Sequence, residues 1–286
     1  GGHLHVLQAL MRMGAAFGKV DYGREHSVAH FACMGGHLHI LEWLQEEGIE
    51  ITEHCDWWTP VQYAAALGHT DIVRWYVSQK LHTNNLRMDS PPSVAQLAVL
   101  RGDTEMLKWL LEQDDAILRM RDGEYLNIAH YAIVSNQFEL LQWLHAQGFM
   151  PPEQRGNGSH KTYMFLAVST GNLDMMEWVE KTVGFNHSFA TGYYLVTLAH
   201  AAAQYGHLEA LKWLQSRGCP MLTRDKEGRS ILHRSVASGN IELTTWIMST
   251  YVRTCKLFDP ANEGLMAPAG ETSVPPLTFK DKGKGK

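Results

Sequence analysis

Sixteen histidines are the first residues in this 286-residue chain whose chemistry calls for an explanation. An imidazole can ligate a metal or carry a proton near neutral pH. The pairs His37/His39 and His54-Cys55 set two donors side by side. A tetrahedral zinc site needs further ligands at close spacing, and neither pair has them, so no metal and no other cofactor is expected. Paired carboxylates could serve acid–base chemistry, but Asp114-Asp115 and Glu46-Glu47 fall at helix ends or loop starts, where solvated charges are ordinary. The chain has no G-x-x-x-x-G-K-S/T phosphate cradle, G-x-S-x-G elbow, H-E-x-x-H pair or dinucleotide fingerprint. A chain that does not act as an enzyme is expected.

The histidines instead follow a register. The segment Gly36-His37-Leu38-His39-Ile40-Leu41-Glu42-Trp43-Leu44 recurs, with anchors at Gly2, Gly36, Gly68, Gly102, Asn136, Gly171, Gly206 and Gly239, spaced 32 to 35 residues apart. Seven of the nine tryptophans (Trp43, Trp75, Trp109, Trp143, Trp178, Trp213, Trp246) lie seven residues after an anchor, which makes them packing positions. Trp57 and Trp58 alone break the pattern. Nine residues before seven of the anchors stands Ser27, Thr59, Ser93, Asn127, Thr162, Thr197 or Ser230, each a good helix cap. Six before comes His30, Gln62, Gln96, His130, Phe165, His200 or His233, and four before a small residue, Ala32, Ala64, Ala98, Ala132, Ala167, Ala202 or Ser235. Each unit therefore reads as a capped short helix, a tight turn and a second helix with Leu, Ile and Trp on one face. A loop rich in Gly, Asp, Pro and Asn follows.

Those elements set the domain organisation. Residues 1–251 form the array and 252–286 a flexible Pro/Gly/Lys-containing tail. Residues 2–13 supply a second helix without its first, which is expected of a fragment of a longer chain. Thr244 and Thr245 in the last outer helix read as a cap, and the segments near 80–95 and 148–165 as the weakest. Apolar residues make up 45% of the chain and charged ones 19%, enough for a core. The net charge of −5 divides into −7 before residue 252 and +2 after it, which disfavours nucleic acid as a partner. No apolar run approaches the ~20 residues that span a bilayer. Four scattered cysteines fit reduced thiols rather than a disulfide framework. An intracellular, cytoplasmic (or nuclear) monomer with no membrane contact is expected.

Asp225-Lys226-Glu227-Gly228-Arg229-Ser230-Ile231-Leu232-His233 and Thr59-Pro60-Val61-Gln62-Tyr63-Ala64-Ala65 resemble the ankyrin repeat, D-x-x-G-x-T-P-L-H-x-A-A-x-x-G-H. Seven full repeats plus a leading half repeat are in register. Pro60 is the one proline at its motif position, and Phe165 replaces the motif histidine. The resemblance implies an all-α solenoid of helix-turn-helix repeats with β-hairpin finger loops, and a non-catalytic scaffold that binds a protein through inner helices and fingers. The family's variable positions map here onto Arg24, His26, Asp56, Trp58, Arg101, Tyr193, Tyr194, Tyr205, Lys226 and Arg229. Trp, Tyr and Arg dominate interface hot spots. The alternative is a regulatory or targeting arm of a larger enzyme or channel whose catalytic domain lies outside this chain.

Overall fold

Each inner helix begins one residue after the Ser, Thr or Asn marked as its cap, because that side chain and, in all but α11, the residue three further on satisfy backbone groups a helix start leaves open. The computed structural model describes residues 2–15, 17, 26–51, 58–80, 92–151, 162–184, 190–191 and 196–252. After a lone helix α1 (Leu4–Arg12), the first unit, Gly1–Ser159, contains four pairs: α2 (Val28–Gly35) with α3 (Leu38–Glu46), α4 (Pro60–Leu67) with α5 (Thr70–Ser78), α6 (Val94–Arg101) with α7 (Thr104–Gln113), and α9 (Ile128–Val134) with α10 (Phe138–Ala146). A short helix, α8 (Asp115–Arg119), lies between the third and fourth. The second unit, His160–Lys286, contains α11 (Tyr163–Thr170) with α12 (Leu173–Val183), α13 (Leu198–Gln204) with α14 (Leu208–Ser216), and α15 (Ile231–Ser238) with α16 (Ile241–Ile247), which runs into a π-helical turn, Met248–Val252.

Within each unit the inner helices of successive repeats pack side by side, α2 to α4 to α6 to α9 and α11 to α13 to α15, while each also packs on its own outer helix. The small residue of the register makes this close approach possible. Ala32, Ala64, Ala98, Ala132, Ala167, Ala202 and Ser235 are all at most 3% exposed. Between inner and outer helix the chain reverses through a left-handed residue. Gly36 takes φ +71°, and Asn136, standing where the other repeats have glycine, is forced to +56°.

The cap chemistry explains why histidine and glutamine alternate at one position. His30 Nδ1 accepts the Ser27 N–H at 3.1 Å while its Nε2–H donates to the Trp58 carbonyl at 3.3 Å. Gln62 and Gln96 reproduce both halves: Oε1 accepts the cap N–H at 2.6 Å, and Nε2 donates to Pro92 O at 3.0 Å or Leu126 O at 2.8 Å. Each side chain thus closes its own helix and ties down the next finger. Phe165 can do neither, and α11 keeps only the Thr162 hydroxyl as acceptor for the Phe165 N–H, 3.1 Å. A second ladder runs across the turns. His69, Gln137, His207 and Asn240 donate to Met34, Val99, Ser169 and Gly206 carbonyls of the preceding repeat at 2.5–3.1 Å.

Other expectations meet a more varied outcome. Of the in-register tryptophans only Trp43 is buried, at 7% exposed; the other six are half-buried. Arg74 lies over the Trp109 ring at 5.5 Å and Arg217 over Trp213 at 5.1 Å. Asp114 caps α8, accepting the Ala116 N–H at 2.9 Å, so that loop buries Ile117 and Leu118 instead of staying irregular. Among the described residues the paired finger is β1 (Ala190–Thr191) with antiparallel β2 (Val196–Thr197). Thr244 turns its hydroxyl inward to the Asn240 carbonyl, 2.8 Å. The last inner helix nonetheless leaves Val236 64% exposed at a position buried in the six earlier repeats. The segments 80–95 and 148–165 fall mostly outside the described residues, as does the tail beyond 252.

Candidate partner-binding surface

Side-by-side packing lines up equivalent residues of α2, α4, α6 and α9, and their open side is short of charge. The four helices contain one Lys, Arg, Asp or Glu between them, Arg101. What they offer instead is apolar. Phe31 is 62% exposed and Leu67 50%, with Met34, Tyr63, Ala66 and Leu100 half-buried between and beside them.

At the start of this face five rings gather. The Tyr63 hydroxyl and His26 Nε2 lie 3.0 Å apart, and the Trp58 and Tyr63 rings are 5.2 Å apart. His26 also meets the Phe31 ring at 5.8 Å and the His30 ring at 5.5 Å. Sequence and backbone position each ring. Phe31 and Tyr63 are the fourth residue after their caps, while Trp58, just before the Thr59 cap, is held by the bond from His30 to its carbonyl. The chemistry of such a patch is adhesion: large, stiff, amphipathic rings present area with little rotamer freedom to lose.

The expected site residues divide between the two units. His26 and Trp58 come together through Tyr63. Arg101 is exposed at the end of α6, where its Nη1 donates to the Ala66 carbonyl at 3.1 Å. In the second unit Tyr205 is half-buried and stacks on His207, ring centroids 6.4 Å apart, and burial pushes its hydroxyl above the usual phenol range. Lys226 is exposed. Arg229 is committed to Asp225 at 3.0 Å and to Glu227, which fixes the finger rather than leaving the guanidinium open. Arg24, Asp56, Tyr193 and Tyr194 lie outside the described residues.

Phe31 and Tyr63 went unmarked in sequence because they lie in helix interiors, five residues before the anchor, and Leu67 because it is aliphatic at the position held by Arg101 and Tyr205. The signal was the residue after the motif His or Gln, which is aromatic in Phe31, Tyr63 and Tyr131. That position also builds fingers. Tyr131 donates to Asp122 Oδ2 at 2.6 Å, and Arg234 holds Asp225 in the same way. Each aspartate also accepts two finger N–H groups, Glu124 and Leu126 in one case, Glu227 and Arg229 in the other, at 2.8–3.1 Å. No group of three or more metal-ligating side chains occurs among the described residues. Cys33 and Cys219 are buried, which pushes their thiols up to about 12 and about 11 and keeps them protonated.

Repeated capped helix pairs, joined by carbonyl-seeking side chains and displaying an inner face, define a tandem-repeat protein of the all-α solenoid class. A three-copy ankyrin repeat model matches residues 1–87 and 95–188, and a second ankyrin repeat model matches 199–247. The chain belongs to the ankyrin repeat family. Among solved structures it is similar to the ankyrin repeat domain of Bcl-3, described as a unique member of the IkappaB protein family. The two share 19% identity over 78% of this chain and 99% of that one, with a TM-score of 0.50, a likeness of fold. No curated protein is significantly similar in sequence. Ankyrin repeats are generally protein–protein interaction modules. No described helix is long and apolar enough to cross a membrane.

Proposed function

We propose that the chain is a non-catalytic recognition scaffold that binds a protein partner through inner helices and fingers, acting as an intracellular monomer. One observation carries the reading: the nearly uncharged inner face of α2, α4, α6 and α9, with Phe31 and Leu67 half or more exposed and Trp58 and Tyr63 beside them. Exposed apolar area of this kind, framed by polar surface, is what interaction sites present. The mechanism is preorganisation. The rings are already fixed by neighbouring repeats, so binding orders little and buried contact converts to affinity efficiently. Fold alone does not select a ligand, so the surface has to.

Capture of binding proteins from native lysate, in parallel with a Phe31→Ala/Trp58→Ala variant and a Tyr193→Ala/Tyr194→Ala variant, tests the reading. A protein retained by the parent chain and lost with the first variant, whose circular dichroism and thermal unfolding stay those of the parent, supports it. Retention unchanged with both folded variants contradicts it.

A further inference from the structure

The last inner helix, α15, carries the chemistry of a helix that another repeat follows. In four earlier repeats the motif side chain donates through Nε2 to the carbonyl just before the next cap, as His30 does to Trp58 and His200 to Arg229. His233 keeps the near half of this arrangement, its Nδ1 accepting the Ser230 N–H at 3.2 Å. Its Nε2 has no acceptor among the described residues, and its ring is exposed where those of His30 and His200 are at most 1% exposed. Three residues on, Val236 is 64% exposed at a position at most 6% exposed in the six earlier repeats. A terminal repeat needs a polar outer side. Helix α15 offers an open donor and an open apolar side chain instead, the two features that a following finger and helix cover.

The sequence after α16 holds the same register for one short stretch. Thirty-four residues after Asp225, which accepts the N–H groups of its finger, stands Asp259. At the same interval Leu265 and Met266 follow Ile231 and Leu232, and Ala269 follows Ser235, the small residue of its repeat. The cap position falls on Gly264, which is tolerated there. Pro268 and the absence of any tryptophan beyond residue 252 end the likeness before an outer helix. The reach is sufficient: thirteen residues lead from the end of α14 to the Arg229 carbonyl, and eleven from Val252 to that of Glu263. From the uncovered side of α15 and this register, we infer that residues 259–269 of the same chain dock there as a partial following repeat. The Glu263 carbonyl accepts the His233 Nε2–H, and the apolar side chains of 265–269 cover Val236. A tether this short holds the segment at an effective concentration on the order of millimolar, which favours it over a separate protein. The inference is independent of whether the inner face of the first unit binds a partner.

Amide hydrogen exchange of the full chain tests this. Amides of 263–269 are expected to exchange at least about tenfold more slowly than those of 277–286. Two variants are compared with the parent, Leu265→Asp/Met266→Asp in the docking segment and Val236→Asp on the helix it covers. Each is expected to release 263–269 and to speed exchange in α15 about tenfold, with α13 and α14 unchanged. Circular dichroism establishes that each variant is folded, and where Val236→Asp is not, the Leu265→Asp/Met266→Asp variant alone decides. Exchange of 263–269 in the parent at the rate of 277–286 overturns the inference, as does protection that survives in the folded variants. Protection that grows with protein concentration also overturns it, because a second copy would then be the occupant.

Discussion

The residue that best separates structure from chemistry in this chain is the motif histidine. His200 accepts the Thr197 N–H through Nδ1 at 3.3 Å and donates through Nε2 to the Arg229 carbonyl at 3.1 Å. Only the neutral ring can do both. Burial accordingly lowers the pKa of His200, and likewise that of His233, below the ordinary 6.5. The unfolded chain takes up these protons first. Stability is therefore full above about pH 6.5 and falls as pH drops below it. Thermal unfolding at pH 7.5 and pH 5 should show a lower midpoint in acid. His200→Gln, which copies Gln62 and Gln96, should keep the neutral-pH midpoint within about 1 kcal/mol of stability and reduce the acid loss. Asp225 carries a different burden. Arg234 is 6% exposed and depends on this carboxylate, so Asp225→Ala should cost about 3–5 kcal/mol in chemical denaturation. Arg229→Ala, removing a partly exposed partner, should cost about 1 kcal/mol or less. Sequence showed that these histidines repeat and so serve the fold; it did not show that glutamine does the same work, because the equivalence lies in where two atoms point.

At the scale of the helix pair the register was legible nearly to the residue, because cap, small residue and turn each answer a local steric or hydrogen-bonding demand. Ala202 is 0% exposed where inner helices meet, so Ala202→Leu should destabilise by about 1–3 kcal/mol, read from the urea midpoint. What stayed hidden depends on neighbours. The tryptophans look interchangeable in sequence, yet only Trp43 is buried, since the rim of each outer helix is covered differently. The loop after α7 looked irregular, yet Asp114 starts a helix there because Ile117 and Leu118 find a place to bury. Of the aromatic patch, Phe31 and Tyr63 escaped notice for the same reason. Phe31 and Tyr63 occupy helix-interior positions that in α6 and α11 hold Leu97 and Leu166, both buried. The packing of the first two inner helices leaves Phe31 exposed and Tyr63 half-buried.

For the whole molecule, stability in a repeat protein is a sum of neighbour contacts, and a helix that buries little against its neighbours should show it. Helix α1 buries no residue, whereas Ala199, Ala201, Ala202 and Ala203 of α13 are at most 1% exposed. Amide hydrogen exchange should therefore be fastest in α1 and slowest in the inner helices of the middle repeats. The same experiment reaches the central claim, that the inner face of the first unit is the part of this protein made to be held. Exchange is measured with and without a protein partner obtained by capture. The account predicts added protection at 26–35 and 58–67, with α3, α5 and α7 unchanged. Protection confined to those outer helices, with α2 and α4 unaltered, would contradict it.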